Sequence, residues 1–234
     1  MQPTISPLGD SALTVTFGSS IDEEVNLKVL SLFRLVKQQG CVEILDVIPA
    51  YASLTLVYDF YRVYSNIKSS PFTYMSDKVE KLIEGLQVQN LPAPKVVEIP
   101  VCYDPSFGTD LREMAKNKQV SIEEIVQIHT STTYHVYMLG FLPGFSYMGK
   151  LDDRIATPRK AVPDLNIPAG SIGIAGEQTG IYPLDSPGGW NIIGRTPLKM
   201  FNLNAVSPCL LQPGDKVRFQ PIVLDEYYKL KEKQ

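Results

Sequence analysis

From Ala12 to Phe17 apolar and polar residues largely alternate, the period-two pattern of a strand with one buried face. The period then lengthens. Ser20 followed by Glu23 reads as a capping box, and Val25, Val29, Leu32, Phe33 and Val36 recur on one helical stripe until Gly40, which suits a C′ position. Two more strands are predicted at 42–48 and 53–58, and a second helix at 76–86 with Val79, Leu82, Ile83 and Leu86 facing inward. If residues 96–101 add a strand, the order becomes βαββαβ, the ferredoxin-like arrangement; the same strand equally opens a second domain. The run Asn90-Leu91-Pro92-Ala93-Pro94 reads as the linker, because two prolines in three residues end a helix and favour extended backbone. The expected fold is therefore an α+β N-terminal domain over residues 1–90 and a mainly-β domain over 91–234.

The second half reads differently. Helices are predicted at 109–116 and from Ser121, with Glu124 as capping partner, to about residue 130. Beyond them, glycines and prolines punctuate short apolar runs at 172–175, 192–193, 198–203 and 217–221, the pattern of a β-barrel or sandwich.

Composition narrows the class. The chain has 234 residues, 44% hydrophobic and 20% charged, with a formal net charge of −3, which describes a globular protein without a basic footprint for nucleic acid. No apolar run approaches the roughly 20 residues of a membrane helix, and residues 1–10 show no leader pattern. The three cysteines, Cys41, Cys102 and Cys209, are far apart and form no CxxC pair, which points to reduced thiols, a cytoplasmic setting and no metal site. Lys229, Lys231 and Lys233 alternate with Glu232 and read as a solvated end.

Residues 135–195 carry the candidate chemistry. His135 opens a run that continues through Gly140-Phe141-Leu142-Pro143-Gly144-Phe145, then Thr157-Pro158-Arg159, then Gln178, Tyr182 and Ser186-Pro187-Gly188-Gly189-Trp190, ending at Gly194-Arg195. Glycines and prolines make rigid loops, and a few long polar and aromatic side chains on rigid loops are what a pocket requires. Arg159 and Arg195 are expected to fork around a carboxylate or phosphate, and the backbone N–H groups of Gly188, Gly189 and Trp190 to form an anion nest. Trp190 reads first as a packing anchor and Phe141 and Phe145 as apolar walls or a partner-facing patch, while His129 reads as a helix-end residue favoured by the dipole. Cys102 lacks a histidine near it in sequence, and Asp104 and Asp110 are more simply solvated loop residues than magnesium ligands.

These motifs, with Gly9-Asp10-Ser11-Ala12-Leu13, Pro49-Ala50-Tyr51-Ala52-Ser53 and Ile99-Pro100-Val101-Cys102-Tyr103, closely resemble one family across nearly the whole chain. It includes the B subunit of 5-oxoprolinase, the first subunit or domain of allophanate hydrolase-type proteins, and a sporulation histidine-kinase inhibitor. The resemblance implies a cyclophilin-like barrel and a homologous partner, the C subunit of 5-oxoprolinase. It further implies ATP- and Mg²⁺-dependent activation of 5-oxoproline, and a third component, the A subunit, that opens the ring. It implies site roles for His135 and Arg195 as catalytic residues, and for Phe145, Arg159, Gln178, Tyr182, Gly188, Gly189 and Trp190 in binding substrate or nucleotide. The alternative it carries is inhibition of a histidine kinase. Two departures bear on the substrate: Pro163-Asp164 stands where relatives carry a second Pro-Arg, and Ala175 where they often carry glycine. No Walker A motif is present, so a nucleotide would need a non-standard site.

Overall fold

The computed structural model describes residues 3–67, 70–86 and 93–233. The chain divides into two compact units, Met1–Ala93 and Pro94–Gln234. Asn90, Leu91 and Pro92 of the expected linker lie outside the described residues.

The first unit runs β1 (Thr4–Pro7), β2 (Ala12–Thr16), α1 (Glu23–Gln39), β3 (Ile44–Pro49), β4 (Ser53–Tyr58), α2 (Phe60–Ile67) and α3 (Pro71–Glu84). Its sheet is antiparallel in the order β1-β2-β4-β3. The alternation in β4 is literal: Leu54, Leu56 and Tyr58 are buried and the residues between them are not. They meet the apolar stripe of α1, Val29, Leu32 and Val36, and that of α3, Met75 and Val79. Gly40 ends α1 with φ 58°, a left-handed conformation that a glycine adopts without a Cβ clash.

Three expectations are corrected here. The N-cap of α1 is Asp22, whose side chain accepts from Val25 N at 3.1 Å, in place of Ser20. The expected second helix at 76–86 is α3, which begins earlier at Pro71, where Ser70 Oγ accepts from Thr73 N, and α2 precedes it as a helix the pattern did not announce. The unit is not ferredoxin-like βαββαβ: β1 precedes the expected first strand, and the strand after the linker joins the second unit.

That strand is β5 (Val96–Cys102), followed by α4 (Leu111–Lys118), α5 (Ile122–Ser131), β6 (Thr133–Leu139), β7 (Ser146–Gly149), β8 (Asp164–Ile167), β9 (Ser171–Ala175), β10 (Gln178–Ile181), β11 (Ser186–Gly188), β12 (Asn191–Arg195), β13 (Lys216–Ile222) and α6 (Leu224–Lys231). Seven strands close a barrel in the order β10-β7-β6-β13-β5-β12-β9, and β8 pairs with β11 as a separate ribbon. β5 runs parallel to β13 from Val96↔Lys216 to Cys102↔Ile222, a pairing across more than half of the unit that no local pattern announces. Closure leaves no open strand edge on the barrel. Residues 198–203 form no strand; Phe201 makes one bridge to Cys209. Ser121 caps α5 as expected, accepting from Glu124 N at 3.0 Å.

His129, on α5, is no helix-end cation. It is fully buried, stacked 4.5 Å from Phe219, and burial pushes its imidazole down to about 3. Thr179 Oγ1 donates to Gly173 O at 3.1 Å, so it accepts from His129 Nε2 at 3.0 Å; Nδ1 then accepts from Tyr103 Oη at 2.8 Å. Every polar atom of the ring is satisfied by one neutral tautomer.

Candidate functional site

The loop Gly140–Phe145, the segment around Arg159 and the β8/β11 ribbon surround a cleft of about 350 Å³. Its walls are Phe141, Phe145, Tyr147, Tyr182 and Trp190, and its cations are Arg159 and Lys160; among the described residues no carboxylate lines it. Trp190 is the chain's one tryptophan. Its indole is seated because Gly173 and Gly180 leave room beneath it: a Cβ on Gly173 would lie 2.9 Å from Trp190 Cβ, and one on Gly180 3.0 Å from Trp190 Cζ3. Phe145 meets Trp190 edge-on at 5.3 Å and Tyr182 at 5.0 Å. Phe141 holds a positive φ of 68° and is 62% exposed, a strained aromatic at the rim of the cleft. Burial raises the Tyr182 hydroxyl to about 12, so it stays protonated and available as a donor.

Arg159 lies 5.9 Å over the Trp190 ring. Its backbone is placed by neighbours on both sides: Asn191 Nδ2 donates to Pro158 O at 2.8 Å, and Lys160 N donates to Gly189 O at 2.8 Å. Lys160 Nζ bridges Asp110 Oδ1 at 2.8 Å and Asp164 Oδ2 at 2.6 Å, while Asp110 Oδ2 accepts from Ile192 N at 2.6 Å. Burial by itself would push the Lys160 amine down, but the two carboxylates outweigh it and hold it above its usual value.

Lys160 also stands in the wall of a second cleft, of about 550 Å³, lined among others by Phe107, Thr109, Asp110, Asp164, Asn166 and Arg195. The two arginines therefore do not fork around one anion: Arg159 faces the aromatic cleft and Arg195 the second. Nor do Gly188, Gly189 and Trp190 form a nest, since the backbone shows no left-handed residue there and Gly188 ends β11. The need at Gly188 is space, because a Cβ would collide with Tyr182 Oη.

Phe145, Arg159, Tyr182, Gly188, Gly189 and Trp190 thus come together, and Arg195 lies across the Lys160 wall. His135 and Gln178 line neither cleft. His135 is buried on β6 between Gly149 and Lys216, with Tyr137 edge-on at 4.8 Å, and Gln178 begins β10 opposite Ala175. Cys102 is buried on β5, where desolvation raises its thiol. Asp104 binds its own loop through Ser106, and Asp110 is taken by Lys160 and Ile192. Among the described residues no group of three or more His, Cys, Asp or Glu is placed to hold a metal ion. No helix among them is long and apolar enough to cross a membrane. The sequence reading missed Lys160 and Tyr147, and it read Asp110 as a solvated loop residue where it is engaged by Lys160 and Ile192 N; the pair Lys160 and Asp164, four residues apart in a turn-rich stretch, was the available signal for the first.

The second unit thus combines a closed barrel, a two-stranded ribbon and two adjoining clefts. The chain matches the family model "Carboxyltransferase domain, subdomain C and D" over residues 3–211, and it belongs to that family. Within it, the chain is similar to the B subunit of 5-oxoprolinase from Bacillus subtilis, 46% identical over 97% of this chain and 96% of that protein. It is likewise similar to the B subunit of 5-oxoprolinase from Haemophilus influenzae, 36% identical over 92% of this chain and 96% of that protein. Among solved structures, TTHA0988 superposes with a TM-score of 0.78 at 36% identity over 90% of this chain, which spans 40% of that longer protein.

Proposed function

We propose that this chain is the B subunit of an ATP-dependent 5-oxoprolinase, acting in the cytoplasm with a homologous C subunit and with the ring-opening A subunit. The observation that carries the reading is the end-to-end match to proteins of that name, 46% identical over 97% of this chain.

The aromatic cleft suits the substrate. 5-Oxoproline is a small, flat lactam bearing one carboxylate. Arg159, with no carboxylate among the described residues lining the same cleft, offers a planar fork for that group, and Phe145, Tyr182 and Trp190 supply apolar faces for the ring. A lactam carbonyl is a poor electrophile; ATP supplies a phosphoryl group that turns its oxygen into a leaving group. Within this chain Arg159 binds and orients, the aromatic walls exclude water, and Tyr182 Oη is a protonated donor at the edge of the ring site. Magnesium would arrive with the nucleotide and rest chiefly on its phosphates, as that ion commonly does; Asp110 and Asp164 are already engaged by Lys160.

Reconstitution tests the reading. The purified chain is mixed with its A and C partners, ATP, Mg²⁺ and 5-oxoproline, and glutamate is assayed. Glutamate should form only when this chain is present, and Arg159→Gln should raise KM for 5-oxoproline roughly tenfold or more, as loss of a charged hydrogen bond does. A soluble, assembled complex that yields no glutamate overturns the assignment.

A further inference from the structure

The second cleft holds a cation without a counter-charge. Arg195 is half-buried on β12, with its guanidinium 5.1 Å over the Phe107 ring and a hydrogen bond to the Tyr227 side chain. Among the described residues it makes no ion pair, and its Nε is buried without a partner. The two carboxylates of the cleft, Asp110 and Asp164, are both engaged by Lys160. With that atom buried and the residue lining the open cleft, an anionic guest there would supply the counter-charge the guanidinium lacks.

The neutral groups indicate which anion. The Ser106 hydroxyl is committed to Asp104 at 2.6 Å and the Ser171 hydroxyl to Pro168 O at 2.6 Å. Thr109 and Asn166 line the same cleft with no side-chain partner among the described residues. A guanidinium fork and two further donors suit a tetrahedral oxyanion with several acceptor oxygens better than a carboxylate with two. We infer that the Arg195 cleft is a second binding site, separate from the aromatic cleft, for a phosphate group, either free or carried by a nucleotide. This places the two anions of the proposed reaction on opposite sides of Lys160, yet the site itself is read on this chain alone, without its partners or turnover.

Isothermal titration of the full chain with inorganic phosphate, and separately with magnesium-free ATP, tests it. Both should give saturable heats, with ATP the tighter if the group is nucleotide-borne and no tighter if it is free phosphate. Arg195→Gln should weaken binding at least tenfold. Thr109→Asp adds a negative charge at an exposed position of the cleft, so it should do the same even if the arginine variant fails to fold. Arg159→Gln should leave phosphate affinity within twofold. An absence of saturable heat in the unaltered chain would mean that Arg195 awaits something other than phosphate, such as a carboxylate from a partner, and the inference falls. It falls equally if binding survives Thr109→Asp and is lost in Arg159→Gln.

Discussion

Mild acid should destabilise this protein chiefly through His129. In the folded chain burial holds its imidazole at about 3, against an ordinary value near 6.5, and the neutral ring is fixed between Tyr103 and Thr179. The unfolded chain binds a proton below about pH 6.5 that the folded chain refuses until about pH 3. Stability therefore rises with pH across that window and is level above it, because the folded value is depressed. Each pH unit inside the window is worth about 1.4 kcal/mol, so going from pH 7.5 to pH 5 should remove about 2 kcal/mol. Urea unfolding at both pH values measures it, with His129→Gln as reference; the chain's other histidine is common to both proteins and cancels. The His129 ring resonances should also stay unchanged over that range. Equal pH dependence in the two proteins, or a ring that titrates near its ordinary value, refutes the reasoning.

Other outcomes follow from the clefts. Gly188→Ala forces a Cβ onto Tyr182 Oη and should cost about 1–3 kcal/mol of overpacking, seen as a lower unfolding midpoint, and should narrow the aromatic cleft. Asp110→Asn leaves Lys160 with Asp164 only and weakens the bond from Ile192 N, which should cost about 1–3 kcal/mol in urea unfolding. Since Trp190 is the one tryptophan and lines the cleft, 5-oxoproline should change the chain's tryptophan fluorescence, and Arg159→Gln should move the midpoint of that change to roughly tenfold higher ligand concentration.

Local patterns were legible where one residue's neighbours in sequence are also its neighbours in space. The alternation at 53–58 named β4 end to end, Gly40 named the close of α1, and Ser121 with Glu124 named the start of α5. The short glycine- and proline-punctuated runs indicated a barrel or sandwich, and the barrel is there. The aromatic cleft was legible for a related reason: Phe145, Arg159, Tyr182 and Trp190 lie in loops punctuated by glycines and prolines that largely dictate the backbone there.

Tertiary structure alone decided the remainder. Val96–Cys102 has the same strand pattern whether it completes the first sheet or opens the barrel, and its parallel pairing with Lys216–Ile222 settles which. Arg159 and Arg195 look equivalent in the sequence, yet the Asp110–Lys160–Asp164 bridge stands between their clefts, and Asp110 arrives there from a loop fifty residues before Lys160. His129 reads as an ordinary residue late in a helix; only barrel closure buries it and removes its charge. Periodicity encodes which face of an element is apolar. It does not encode which distant element covers that face, and charge state and site membership depend on the cover.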